Sequence, residues 1–192
     1  MDAFSLTESR DSPPNIQAAS PRAAVLDESI KRNLIPVILR DLLDCPTKKE
    51  EQDGDVTVSD GVIVAFNLFN KGLGDDKGIC FARALPLTPD VHTINLAGNR
   101  LTDKSIRPIM SEVLSHLRCT NLNVSDNKID HLSIEMIKAN LELCSCTLKE
   151  LHLSRADIDD EECAEMVGAL HSNKSLRILD LSNNKIGSME VG

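Results

Sequence analysis

His152 and Ser154 stand in one stretch of the chain and Asp180 and Ser182 in another, each pair offset by 28 residues. Histidine, aspartate and serine together invite a hydrolase reading. A nucleophilic hydroxyl must reach its base, and an oxyanion site must face both. If the two stretches are neighbouring strands of one extended sheet, their side chains project in parallel and no loop closes over them. A solvated polar pair is therefore expected, and no catalytic residue. Metal chemistry fares no better. Cys144-Ser145-Cys146 is too closely spaced for a zinc knuckle, no second Cys or His pair matches it, and His131 is the nearest histidine. In "CPTKKEEQDGDVTVSD" (Cys45 to Asp60) the Asp spacing is wrong for a calcium loop and no Gly falls at its sixth position. "GLGDDKG" (Gly72 to Gly78) lacks the Lys-Ser/Thr pair of a phosphate-binding loop. Asp75 or Asp76 is instead expected to cap a helix. No metal, no cofactor and no enzymatic activity are expected.

What positions these residues is a repeat. "LRILDLSNNKIG" (Leu176 to Gly187) carries the spacing L-x-x-L-x-L-x-x-N-x-I through Leu176, Leu179, Leu181, Asn184 and Ile186. Val91, Ile94, Leu96, Asn99 and Leu101 form an earlier copy, and Cys119, Leu122, Val124, Asn127 and Ile129 another. Leu148, Leu151, Leu153, Ala156 and Ile158 form a third, with Ala in place of Asn. Successive ninth positions (99, 127, 156 and 184) lie 28, 29 and 28 residues apart. "VIVAFNLFNKGLGDD" upstream reads as a degenerate first copy, with Asn70 in the Asn role and one residue inserted. Between the strings, Ile106, Ile109, Met110 and Val113 recur at helical spacing, as do Cys163, Met166, Val167 and Leu170, and more loosely Ile134, Ile137 and Leu141. Each unit is thus a short strand, a turn, a helix and a return loop.

These strings resemble leucine-rich repeats, and the period near 28 with a full helix resembles the ribonuclease-inhibitor-like subclass. The resemblance covers about Val62 to Ile186. It implies an α/β solenoid, with a curved parallel sheet on the concave side and helices on the convex side. Asn99, Asn127 and Asn184 are then a structural ladder. An asparagine side chain carries donors and an acceptor that satisfy turn backbone otherwise left unpaired. Ala156 interrupts the ladder, and a local weak point costing about 1–3 kcal/mol is expected there.

The expected domains are a tail over 1–22, an amphipathic helix over 23–44 as N-terminal cap, an acidic linker over 45–60, and a solenoid of four to five repeats over 61–192. The tail is rich in Ser, Pro and charge and reads as disordered. Ile30, Leu34, Val37, Ile38 and Leu42 form the helix's apolar stripe. After Ile186 the last repeat lacks its helix. That reads as a fragment of a longer repeat protein, as an open end that docks on a partner or a second copy, or as a last strand that tolerates exposure.

Net charge is −9 and no basic cluster stands out, which argues against nucleic acid and anionic membranes. The opening "MDAFSLTESRDSPP" lacks a basic start and an apolar core and no run is long enough to span a bilayer, so no signal peptide, a cytoplasmic location and six reduced cysteines are expected. Aromatic residues make up 2% of the chain, with no Trp and no Tyr, so the core must be aliphatic and strong interface anchors are scarce.

Function on the resembled architecture sits on the concave face, at the third, fifth and seventh positions of each string. The candidate protein-binding residues are Thr93, Asn95, Asn121, Asn123, Glu150, His152 and Asp180, with Arg155 at the edge beside the missing Asn. The expected function is a non-catalytic protein-interaction scaffold whose partner is another protein. The resemblance also extends to Ran-type small-GTPase regulators, to repeat-containing immune sensors and to tropomodulin-like cytoskeletal scaffolds, which are kept as alternatives.

Overall fold

A computed structural model describes residues 56–60, 62–116, 118–143 and 145–187. The tail and the capping helix expected over 1–44 lie outside the described residues. Six strands form one sheet in chain order: β1 (Val56–Ser59), β2 (Val62–Asn67), β3 (Thr93–Asn95), β4 (Asn121–Asn123), β5 (Glu150–His152) and β6 (Ile178–Asp180). Between them run four helices: α1 (Gly74–Ala84), α2 (Asp103–His116), α3 (His131–Glu142) and α4 (Asp160–Ala169). Each helix packs on the next, so the molecule is two layers, a sheet and a helix row. Helices need about 8–10 Å of spacing and strands about 4.8 Å, which bends such a stack toward its sheet.

From β2 to β6 the strands are parallel and share one register. Phe66, Ile94, Leu122, Leu151 and Leu179 align across the sheet, and all but Leu179 are fully buried. They meet the helix residues Phe81, Ile106, Ile109, Ile134, Ile137 and Met166 in one core. The core is aliphatic apart from Phe66 and Phe81, whose rings pack edge to face at 5.1 Å.

Three expectations need correction. The linker expected over 45–60 ends in a strand: β1 pairs antiparallel with β2, its register shifting between Thr57 and Val58. Half-buried Val56 packs against the core. The hairpin covers the edge of β2, and the acidic composition just upstream concealed it. Asn70 does not play the ladder role. Leu68 and Asn70 donate to Asn95 O and Ala97 O as Leu96 and Gly98 donate to Asn123 O and Ser125 O. Asn70 is therefore the counterpart of Gly98, both with positive φ, and no residue is inserted. Finally, α1 has no side-chain N-cap. Asp75 instead reaches into the next unit, where its carboxylate accepts from the Thr102 amide, the Thr102 hydroxyl and the Ser105 hydroxyl at 2.8, 2.6 and 2.6 Å. Asp130 and Asp159 do cap α3 and α4, the latter in a reciprocal box with Glu162.

The buried asparagines tie each turn to its neighbour. Asn127 donates through Nδ2 to Leu96 O and Val124 O, both at 3.0 Å, while its Oδ1 accepts from the Asn99 and Leu101 amides at 3.1 and 2.9 Å. Asn99 accepts likewise from Lys71 and Leu73, and Asn184 from Ala156 and Ile158. By this register the amides of Asn127 and Ile129 should meet an oxygen at position 156. Ala156 has none, and no described residue replaces it. The carbonyls are better served, because Val124 O and Leu153 O already receive Asn127 and Asn184. The break is thus confined to two buried donors. Ala156→Asn should restore both bonds and raise unfolding stability by about 1–2 kcal/mol, read as a higher urea midpoint with an unchanged slope. A lower midpoint would mean that the site has closed over the gap.

Candidate functional site

The sheet face opposite the helices carries two lateral rows set by the strand register. Thr93, Asn121, Glu150 and Ile178 form one, preceded by Ala65; Asn95, Asn123, His152 and Asp180 form the other, preceded by Asn67. All eight expected residues except Arg155 stand in these rows, and Arg155 lies just beyond the end of β5.

The second row is partly committed to its own backbone. Asn95, Asn123 and Asp180 each accept, through Oδ1, the amide two residues on: Ala97, Ser125 and Ser182 at 3.2, 3.0 and 3.0 Å. The short side chain bridges its own strand exit in this way, as Asx turns do. Asn95 also donates to Asn67 Oδ1 at 2.9 Å. His152 cannot make the local bond, and the Ser154 amide turns to Ser125 Oγ at 3.1 Å. The imidazole is therefore free of the turn and sits between two carboxylates, 3.9 Å from Glu150 and 3.7 Å from Asp180. The serine hydroxyls pair with each other, Ser154 Oγ and Ser182 Oγ lying 3.0 Å apart. Among the described residues no hydrogen bond joins His152 to either serine, so the base and nucleophile of a hydrolase are not assembled.

Arg155 occupies the strand-to-helix turn with φ +52°, a left-handed conformation shared by Gly98, Asp126 and Asn183 at the same repeat position. Its guanidinium lies 3.5 Å from Asp126. Together with Arg100, Lys128, Asp126 and Asp157 it lines a shallow depression of about 350 Å³ on this edge. Arg100 and Lys128 escaped the sequence reading. The signal was present as basic residues one place after the ladder Asn in successive copies, outside the strand positions on which attention fell.

Cys119 is buried in a Leu slot, and burial pushes its thiol up to about 12, which makes it inert. Cys144 lies outside the described residues. No described helix is long and apolar enough to cross a membrane.

A family profile described as Leucine Rich repeat matches residues 144–161 and 172–188. NACHT, LRR and PYD domains-containing protein 12 of Mus musculus is 29% identical over 52% of this chain and 10% of its own length. Ribonuclease inhibitor of Sus scrofa is 30% identical over 55% of this chain and 24% of its own. The chain carries leucine-rich repeats similar to those of ribonuclease inhibitor. It spans a quarter or less of these relatives. Among solved structures, the repeat protein is similar to "Leiomodin-1 Actin-Binding Site 2", with TM-score 0.53 and 23% identity over 62% of this chain and 69% of that one. The tropomodulin C-terminal domain of Caenorhabditis elegans gives TM-score 0.55 and 18% identity over 81% and 85%. At these identities the structures speak for the fold.

Among the described residues, the surroundings of Asp75, Asp130 and Asp180 hold their carboxyls below the ordinary range. Burial by itself would raise Asp75 and Asp130. The bonds from Ser105 and Thr102 to Asp75, and from Arg107 and Ser133 to Asp130, outweigh it. Asp180 is lowered by Ser182 first, through hydroxyl and amide, with His152 adding less. A depressed folded pKa contributes stability that is present above the unfolded value and lost as pH falls through the folded one. These contributions should hold from neutrality to about pH 5 and fade below about pH 4. Urea midpoints measured from pH 7 to pH 3 should show this, and Asp75→Asn should flatten the acid fall. An unchanged acid fall in that variant would remove Asp75 from the account.

Proposed function

We propose that the chain is a non-catalytic protein-interaction scaffold that docks its partner on the free sheet face and the adjoining turn edge. One observation carries this: two in-register rows, polar except for Ala65 and Ile178 at the ends of one, run from β2 to β6 beside strand-to-helix turns whose depression is lined by Arg100, Lys128 and Arg155. The rows are laid on a rigid sheet, so they present fixed hydrogen-bonding groups at strand spacing. Arg155 supplies the side chain best suited to an interface anchor. The names of the relatives agree with a binding role, since one is an inhibitor of a ribonuclease and one structure is an actin-binding site. The partner of this chain is a protein presenting polar and acidic groups to that edge.

Charge reversal tests the surface. In affinity capture from cells, Glu150→Lys combined with His152→Glu, and separately Arg155→Glu, should cost the wild-type partner about tenfold or more in recovery. Lys174→Glu, on an exposed return loop away from the face, should leave recovery unchanged. All three should keep the wild-type circular dichroism spectrum. Recovery that survives both face variants would move the docking surface elsewhere.

A second reading rests on β6. Ile178 is 45% exposed, and Leu179 and Leu181 are half-buried where Leu151 and Leu153 are fully buried. Self-association across this apolar edge is the corresponding proposal. Light scattering over a range of concentrations should show a dimer that Ile178→Lys abolishes, and a monomer throughout would dismiss it.

A further inference from the structure

The helix row, on the opposite side from the proposed docking face, holds a constellation that the scaffold reading leaves unused. His131 and Glu135 stand one turn apart on α3, and Glu165 faces them from α4. One donor atom from each lies within 4.8 Å of the others. His131 presents Nε2 to Glu135 at 3.9 Å and Nδ1 to Glu162 at 3.6 Å. Glu162 is itself anchored, since its other oxygen accepts from the Asp159 amide at 3.2 Å in the capping box. The imidazole thus has a fixed carboxylate behind one nitrogen and an approachable carboxylate before the other. That is the arrangement by which an outer carboxylate orients a metal-bound histidine.

Glu165 adds an independent sign. Its Oε2 is buried and forms no hydrogen bond among the described residues. Lys138 Nζ lies 3.5 Å from that oxygen, close enough for attraction but without hydrogen-bond geometry. A buried carboxylate oxygen held only by a loosely placed ammonium favours a better-fitting cation.

We propose that His131 Nε2, Glu135 and Glu165 bind a divalent first-row transition ion of the zinc class, bridging α3 to α4. Imidazole nitrogen with carboxylate oxygens selects this class over calcium and magnesium, which prefer all-oxygen shells. Bond lengths of about 2.0–2.2 Å place donors roughly 3.4 Å apart, so the donors must draw together by about 1 Å or more. His131 and Glu135 are exposed and can supply that by rotamer change. Three protein ligands leave the remaining positions to water, and Lys138 is the cation displaced.

Cobalt(II) is the probe, because it distinguishes nitrogen and oxygen ligands from the chain's cysteines. Thiolate ligation adds a charge-transfer band in the near ultraviolet, whereas imidazole and carboxylate ligation shows only weak visible bands. The reduced full-length chain, stripped with a chelator, should bind one equivalent with the weak visible bands. His131→Gln and Glu165→Gln should each weaken that binding by roughly tenfold or more, and Glu162→Gln, which keeps the capping box, by about tenfold. Lys138→Met should tighten it. Binding should also raise the thermal midpoint of the wild type and not of His131→Gln. Absence of saturable binding overturns the proposal. So does binding whose affinity is the same in His131→Gln and Glu165→Gln, and a thiolate band in that case would assign the ion to cysteine.

Discussion

The turns after β3, β4 and β5 each carry two backbone amides on buried residues, and a buried donor without an acceptor costs more than an ordinary hydrogen bond contributes. The rest of the structure depends on meeting that demand from the next repeat. Asn127 does so for the turn of Asn99 and Leu101, and Asn99 and Asn184 do so for theirs. Because the oxygen comes from the neighbour, the bond fixes the distance between turns as well as satisfying them. That spacing holds the strands in one register, which in turn aligns both the buried apolar row and the exposed polar rows. The interruption at Ala156 falls next to Arg155, Asp126 and Lys128. The least well tied turns of the stack therefore border the proposed docking edge.

Much of this was legible from residue spacing, because apolar side chains alternating about one strand residue must share a face, and an Asn at constant offset must share a turn. The period placed β3 to β6 without ambiguity. The first repeat was harder. Its Asn70 suggested a ladder residue, yet the backbone pairing shows it one place early, in the left-handed position that Gly98 fills in the next unit. Asp75 looked like a cap for its own helix and instead serves the following one, a contact across 27 to 30 residues that no local pattern reveals. The strand at Val56 was masked by its acidic approach.

The candidate surface was legible as a list and not as a hierarchy. Sequence alone cannot separate Asn95, Asn123 and Asp180, each with one oxygen given to its own turn, from His152, which makes no such bond. Nor does it show that Arg100 and Lys128 gather with Arg155 around one depression. The three come from different turns and meet only because the solenoid stacks those turns. On a chain of net charge −9, that edge is a local exception and gives the otherwise polar face a direction.

Native-state hydrogen exchange, resolved by residue, tests the central constraint most directly. The amides of Asn99 and Leu101, held by Asn127, should be protected close to the global limit, and those of Asn127 and Ile129 should exchange about tenfold faster or more. Equal protection of the two pairs would contradict the account, because it would show that the turn facing Ala156 has its amides satisfied without the asparagine.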